Sequence, residues 1–440
     1  MPPAGPVSRL VGTFALAREA AGQARFPFRP IADIRRAQSR RLERIVAHAY
    51  RTVPFWREAM RARGLSPADI RTVDDLGRLP IVERADLQRD PERFRSEAFH
   101  RDDLLELRSG GSSGEPIRLW HDIGSLIASA AHGERERAVW RGTIVPRSGY
   151  REALVIPPFN AAIEVQRFVR ERAWIPAGVD IERRYFPMLD PLPSLIERLN
   201  AFAPHVLSSY GSFVESLFAT VEASGTAFHR PSVVLYGADG VSEAARARIA
   251  ARFGVPVLCA YQSIEAFKIA FECERHDGLH ANIDLYPLRL DGPDGEVIVS
   301  NLVNRATVLL NYRLGDVIAG VEGPCTCGRT LPRVSRPQGR SDDFLDHPSG
   351  LRVHPQAVRS IFTAEPGVWQ YQVDQLETAR FDVRVVASAD CDRPATGRRI
   401  SAALVALFGA ATTANVAFVD RLERTSWGKL RPIRSFRPGR

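Results

Sequence analysis

The residues with the clearest chemical potential form a short run rich in glycine and serine. Three glycines and three serines occupy six consecutive positions, which are Ser109, Gly110, Gly111, Ser112, Ser113 and Gly114. Glycine lets the backbone adopt φ > 0 and approach a ligand closely, so successive N–H groups can converge on an anion. The serine hydroxyls add donors for phosphate oxygens. A flexible surface loop has the same composition, so the function of this run depends on the motifs in the rest of the chain.

Charged residues recur later in the chain at the ends of predicted strands. Glu265 follows an apolar strand and could hold a metal ion bound to phosphate oxygens, although a Glu at a helix N-terminus is also stabilised by the helix dipole alone. Asp316 follows another predicted strand and a tight turn, where its carboxylate suits ribose hydroxyls or simply completes a Gly-Asp turn. Lys429 lies on a glycine turn near the C-terminus, in a chain whose basic residues are nearly all arginine.

Alternating strands and helices must position these residues. Apolar runs at 153–156, 205–210, 233–236 and 255–261 predict strands, and the stretches between them predict helices, one of which is capped by Ser242. Such an alternation predicts an α/β fold with a parallel sheet. Ligands of these folds bind at the carboxyl ends of the strands.

The remaining chain divides into two parts. Residues 31–64 and 122–141 read as helical. Three further short strands predict a small β subdomain, and they lie at 285–290, 295–300 and 307–312. The composition changes near Arg340, so we expect a large N-terminal domain over 1–339 and a small α+β domain over 340–440.

Composition excludes several classes of protein. The 440 residues carry a net charge of +9, from 60 Lys+Arg against 51 Asp+Glu. The arginines alternate with glutamates and form no stripe with aromatic residues, which favours a solvated helical surface over nucleic-acid binding. No apolar run is long enough to span a bilayer, and the N-terminus lacks the apolar stretch of a secretory signal. We expect a cytoplasmic protein without a membrane partner, with a transit peptide as the alternative.

Five motifs in this order resemble the adenylate-forming superfamily, in particular phenylacetate–CoA ligases and their capsule-biosynthesis-associated relatives. The resemblance covers about residues 100–440 and rests on the Gly/Ser run, Gly237–Asp239, Tyr261–Glu265, Tyr312–Asp316 with Gly339–Asp343, and Arg424–Arg431. It implies ATP-dependent activation of a carboxylic acid as an acyl-adenylate, followed by transfer to a thiol, with CoA as the implied acceptor.

The resemblance also implies roles for single residues. The implied ATP contacts are the Gly/Ser run, Ala238, Asp239, Tyr261, Gln262, Ser263, Asp316 and Arg340. Tyr261 would line the adenine, and Asp316 with Arg340 would bind the ribose. Glu265 would help to hold Mg²⁺, and Lys429 would bridge the substrate carboxylate and the α-phosphate. Asp342 would be the hinge about which residues 340–440 rotate as a lid.

The cysteines predict a metal site. Five cysteines, an odd number in a chain expected in the cytoplasm, argue against disulfides. Similar enzymes carry a Cys/His/Cys/Cys set that binds structural zinc, with the histidine in a Gly-Leu-His context like 278–280. The implied ligands are Cys273, His280, Cys325 and Cys327. His276 competes with His280, and cysteines that act as small buried hydrophobes are the alternative.

The acyl substrate and the acceptor are less determined. An aryl or arylalkanoic acid would suit a pocket lined by Phe159, Tyr210, Phe213, Tyr236 and Ile264, although core packing explains each equally. Glu115 stands where relatives usually have Lys, and charge and proline intrude into 344–351. An amine, another small nucleophile or a carrier-protein thiol therefore remains an alternative acceptor, as does a non-catalytic nucleotide-binding relative. Whether the chain forms a homodimer stays open.

Overall fold

A computed structural model of the protein describes residues 5–109, 116–147, 149–174, 181–340, 343–425 and 428–435. The chain forms two compact units. The first comprises Met1–Ser148, Pro158–Asp180 and Cys259–Arg336, and the second comprises Gly149–Pro157, Ile181–Leu258 and Pro337–Arg440. Over the described ranges, every helix is too short or too polar to cross a membrane.

The helices and strands are numbered in chain order. The helices are α1 Pro6–Ala20, α2 Ile31–Thr52, α3 Pro54–Arg61, α4 Arg84–Arg89, α5 Ile123–Trp140, α6 Ala161–Arg172, α7 Leu192–Phe202, α8 Gly211–Ser224, α9 Glu243–Phe253, α10 Pro355–Thr363 and α11 Arg393–Phe408. The strands are β1 Leu105–Arg108, β2 Arg118–His121, β3 Tyr150–Ile156, β4 Ile181–Pro187, β5 Val206–Tyr210, β6 Val233–Gly237, β7 Val257–Ser263, β8 Phe267–Glu272, β9 Leu279–Ala281, β10 Leu288–Asp291, β11 Glu296–Val299, β12 Tyr312–Val317, β13 Gly320–Val321, β14 Arg333–Val334, β15 Gly339–Arg340, β16 Leu345–Asp346, β17 Arg352–Val353, β18 Val368–Glu377, β19 Arg380–Ala387, β20 Thr413–Phe418 and β21 Ile433–Ser435.

The second unit contains the predicted parallel sheet. Strands β4, β3, β5 and β6 pair in that order and all run parallel. Val155, Leu207 and Val234 are fully buried on it, because strands covered on both faces need continuous apolar runs. Ser242 caps α9 through a bond from the Ala245 N–H, as the sequence predicted. The α/β fold class is thereby confirmed.

The C-terminal part of the second unit has a hydrophobic core of its own. Strands β20, β19, β18 and β21 form a mixed sheet, and α10 and α11 pack on it. The core residues all come from this segment, and they are Leu345, Val358, Phe362, Val368, Tyr371, Val373, Phe381, Val383, Val385, Ile400, Leu404, Phe408 and Ile433. A self-contained core is what an independently moving domain requires.

The first unit holds antiparallel strands and corrects one prediction. The strand expected at 307–312 lies instead at Tyr312–Val317. Gly315 adopts φ +81° within that strand, and the register to β11 shifts there. Glycine therefore makes a bulge rather than ending the strand, and Asp316 lies inside β12 instead of after a turn.

Candidate functional site

The carboxyl ends of β5 and β6 are joined through Asp239. The N–H and hydroxyl of Ser212, in the first turn of α8, donate to the Asp239 carboxylate at 3.0 and 2.5 Å. Only glycine fits at the start of α8, since a Cβ on Gly211 would lie 2.5 Å from the carbonyl carbon of Gly240. Ala238, before Asp239, holds φ +66°, a conformation that costs about 1–3 kcal/mol and clusters at functional sites. Asp239 thus neutralises the N-terminus of α8.

The segment that carries Lys429 is anchored on both sides of the lysine. The Leu430 N–H donates to Asp239 at 3.3 Å. Gly428 has φ +75°, and a Cβ there would collide with Cε of Met188. Arg424 donates to the hydroxyl and carbonyl of Ser212 and to the Gly428 carbonyl. Lys429 is partly buried between these anchors.

Glu215 is a second buried carboxyl group next to this network, and it was not among the predicted site residues. Its oxygens accept from the Ser242 N–H at 2.6 Å and from the Gln370 amide at 3.1 Å. Burial raises the pKa of Glu215 to about 7, despite these hydrogen bonds. Burial also raises the pKa of Asp239, against the hydrogen bonds from Ser212 and the charge of Arg424. The apolar residues around Glu215 in α8 gave no sign of a polar role.

Replacing Glu215 with glutamine should alter the pH dependence of stability. The pKa of Glu215 in the folded protein lies above its unfolded value of 4.5, so its contribution to stability is complete below about pH 4.5 and is lost as the pH rises through about 7. Between pH 5 and pH 8 the wild-type free energy of unfolding should therefore fall relative to Glu215→Gln by at most about 3 kcal/mol.

Urea unfolding monitored by circular dichroism at both pH values measures this difference. The matched control is Glu197→Gln, which changes an exposed glutamate of the same unit and should keep the wild-type profile. Parallel profiles for wild type and Glu215→Gln would contradict the prediction.

Two residues that were predicted to bind the nucleotide contact each other in the first unit. The Tyr261 hydroxyl donates to the Asp316 carboxylate at 2.8 Å, across 55 positions of sequence. Glu265 is buried, and its carbonyl accepts from the Asn301 amide at 2.8 Å. It lies in the turn of the β7–β8 hairpin, so the alternative of a helix N-terminus is wrong. Beside it, Gln262 is exposed and Ser263 is half-buried.

Ser109, the first residue of the Gly/Ser run, is hydrogen-bonded to Ile117, which follows the run in sequence. Its backbone N–H donates to the Ile117 carbonyl at 3.1 Å, and its hydroxyl accepts from the Ile117 N–H at 3.0 Å. Arg84, which was not among the predicted site residues, donates to the same hydroxyl at 3.1 Å. This brings a cation to the base of the run. Predicted site residues that lie outside the described residues are Gly110, Gly111, Ser112, Ser113, Gly114 and Asp342.

The predicted acyl-pocket residues are divided between the units. Tyr210, Phe213 and Tyr236 are buried in the second unit, where β5 and β6 pair so that Ser209 faces Tyr236. Phe159 and Ile264 belong to the first unit, and Phe159 is 44% exposed. Arg340, predicted to bind ribose, lies in β15, and its N–H donates to Asp343 at 3.2 Å.

Four predicted metal ligands come together in the first unit. The donor atoms of the Cys/His cluster lie within 4.8 Å of one another, and the cluster consists of Cys273, His280, Cys325 and Cys327. The Sγ atoms of Cys273 and Cys325 are 3.7 Å apart, and Sγ of Cys327 is 3.3 Å from Nε2 of His280. His276 instead contacts the Glu272 carboxylate at 3.1 Å. Of the two histidines, His280 is therefore the one in the cluster.

Burial and hydrogen bonds determine the protonation of the Cys/His cluster. Burial lowers the pKa of His280 to about 4 and raises the pKa of Cys273. Burial also acts to raise the pKa of Cys327, but hydrogen bonds from Arg329 outweigh it and lower that pKa. His280 Nδ1 must donate to the Leu331 carbonyl at 3.3 Å, since a carbonyl only accepts. The neutral Nε2 therefore points its lone pair at the cluster, as metal-binding histidines do.

The fold is that of adenylate-forming ligases. The structure of 2-hydroxyisobutyryl-CoA ligase in the postadenylation state with 2-HIB-AMP matches at a TM-score of 0.76 and 17% identity, over 93% of this chain and 90% of that one. The anthranilate CoA ligase AuaEII with anthranoyl-AMP matches at 0.52 and 14% identity, over 76% and 67%. No family model matches the chain.

In sequence, the chain is similar to phenylacetate–coenzyme A ligases. That of Thermus thermophilus is 26% identical over 357 residues, which cover 77% of each chain. That of Aromatoleum evansii is 25% identical over 437 residues, covering 92% of this chain and 95% of that one. The protein CapK of Staphylococcus aureus is 24% identical over 413 residues, covering 91% and 88%. The resemblance predicted from the motifs is thereby confirmed.

Proposed function

We propose that the chain is an AMP-forming acid–thiol ligase that activates an aromatic carboxylic acid and transfers the acyl group to CoA. The observation that carries this proposal is the Tyr261–Asp316 hydrogen bond, because it joins the predicted adenine and ribose residues within an adenylate-forming fold. The similarity to phenylacetate–coenzyme A ligases over most of both chains supports the substrate class.

The reaction proceeds in two steps. A carboxylate oxygen of the acid forms a bond to the α-phosphorus of ATP, the bond from that phosphorus to the bridging oxygen breaks, and pyrophosphate leaves. The thiol sulfur then forms a bond to the acyl carbon, AMP leaves, and the thiol proton passes to solvent. The first step brings two anions together, so the ammonium of Lys429 would reduce their repulsion. Mg²⁺ held by Glu265, a buried oxygen donor, would offset the charge on the leaving pyrophosphate.

Residues 340–440 are the proposed lid, with Asp342 as the hinge. The separate core of the C-terminal segment supports a movable domain. Closure would shield the acyl-adenylate from water, and opening would admit the thiol. The boundary at 340 and the cytoplasmic location remain predictions.

We further propose that the Cys/His cluster binds one structural zinc ion. Two sulfurs at about 2.3 Å from a tetrahedral zinc lie about 3.8 Å apart, and Cys273 and Cys325 are 3.7 Å apart. The proton on His280 Nδ1 and the N–H of Arg329, which donates to Cys327 at 3.4 Å, supply outer contacts. Cys273 comes directly after β8, and Glu265 lies two residues before that strand begins. A bound ion would therefore stabilise the strand that connects the two residues.

The proposed function is tested by a panel of aryl, arylalkanoic and aliphatic acids with pyrophosphate release as the readout. We expect acid-dependent release without an acceptor, and AMP with a thioester only when CoA is added. Pyrophosphate release that no acid of the panel stimulates would refute adenylation. Product formation with amines but not with CoA would favour the amine-transferring alternative, for which the intruding residues at 344–351 were the sequence signal.

A further inference from the structure

The segment around Lys429 is fastened to the carboxyl ends of β5 and β6 by polar contacts. We call these contacts the Arg424 latch. They join Arg424 and Leu430, on the C-terminal segment, to Ser212, Ser216 and Asp239. All five residues belong to the second unit.

Arg424 bridges two elements with one guanidinium group. It donates to the hydroxyl of Ser212, to the Ser212 carbonyl at 2.7 Å and to the Ser216 hydroxyl at 3.0 Å, all on α8. It also donates to the Gly428 carbonyl of its own segment at 3.1 Å. A planar fork of N–H groups can make such contacts at once, whereas an ammonium group cannot. The turn before Lys429 is therefore tied to α8 through Arg424.

Asp239 completes the latch from the other side. Its carboxylate accepts from the N–H and hydroxyl of Ser212 and from the N–H of Leu430. The charge of Arg424 acts on the same carboxylate. Gly428 allows close packing against Met188, because a side chain at this position would collide with it. Gly428 and Leu430, the two neighbours of Lys429, are therefore held in place.

We propose that Arg424 is a positioning residue that holds Lys429 in place for adenylation and releases it for thioester formation. This inference rests on the proposed function, in which Lys429 acts only in the first step. Polar contacts can form and break in each turnover, since protein hydrogen bonds exchange for hydrogen bonds to water at little net change in free energy. A buried apolar contact would resist opening in every turnover.

The test measures the two half-reactions separately in Arg424→Ala. Adenylation is measured by ATP–pyrophosphate exchange, and thioester formation is started from chemically prepared acyl-adenylate and CoA. We expect kcat of adenylation to fall about 10–100-fold, as for a misplaced catalytic group, with KM for ATP changed by less than about twofold. Thioester formation should keep the wild-type rate. An equal loss in both half-reactions, or no loss in adenylation, would overturn the proposal.

Amide hydrogen exchange without ligands gives a readout independent of activity. Exchange at the amides of Thr425, Lys429 and Leu430 should be about tenfold faster in Arg424→Ala, while exchange in the C-terminal turn of α8 is unchanged. Gly428→Ala would displace the same segment through a clash with Met188, so it should also accelerate amide exchange there. Arg399→Ala is the matched control, because it breaks an arginine pair with Glu365 inside the C-terminal segment and should alter neither half-reaction. Unchanged exchange at Thr425, Lys429 and Leu430 would overturn the latch, whereas a wild type that lacks adenylation would refute the proposed function.

Discussion

Lys429→Ala is expected to lower kcat of adenylation about 10²–10³-fold, the loss found when one charge-stabilising donor is removed from an active site. Two anions must meet in this step, and the ammonium group would lower the free energy of the transition state more than that of bound substrates. KM for ATP should therefore change little. The measurement is acid-dependent ATP–pyrophosphate exchange under saturating ATP.

The sequence offers a matched control, since it contains two lysines, Lys268 and Lys429. Lys268 pairs with Glu136 at 2.7 Å in the first unit, so Lys268→Ala should keep adenylation within about threefold of wild type. Lys429→Arg retains the charge in a planar, bulkier group and should recover only part of the rate. Adenylation in Lys429→Ala at the wild-type rate would contradict the role of this residue.

Local pattern predicted the second unit well. The strand at 206–210 and the helices at 192–202 and 243–253 correspond to apolar runs, turns and a cap that act over a few residues. Strand β4 was not predicted, because residues 182–184 are charged. Charged side chains are tolerated there because β4 lies at the edge of its sheet. The shift of β12 has a different cause, because Gly315 is typical of a turn but here forms a bulge within the strand.

Long-range pairs could not be predicted from pattern alone. Arg424 and Ser212 are 212 positions apart, and no local pattern predicts that two side chains so distant in sequence will form a hydrogen bond. Tyr261 and Asp316 could be assigned to one nucleotide only through the resemblance. The choice between His276 and His280 likewise needed the fold, because β9 places only His280 beside the cysteines.

Cys325→Ser is expected to remove the metal and destabilise the first unit. Wild-type protein should contain about one equivalent of zinc, and the variant less than about 0.2, because a tetrahedral site that loses a thiolate binds far more weakly. Loss of a structural metal exceeds about 4 kcal/mol, so the thermal midpoint should fall by about 10 °C. Metal analysis and a thermal melt give both values.

Two control variants and a second variant within the cluster separate loss of the metal from general effects of substitution. Cys391→Ser changes a cysteine outside the cluster, whose Sγ lies 3.5 Å from the Thr396 hydroxyl, and should retain zinc. His276→Ala should retain it as well, whereas His280→Ala should lose it, since only the His280 ring enters the cluster. Wild-type protein that folds normally without metal would refute the zinc site, even if every variant failed to fold. Zinc retained in Cys325→Ser would place the ion elsewhere.

Because β8 joins Cys273 to the turn that holds Glu265, a true site should also couple zinc removal to weaker ATP binding.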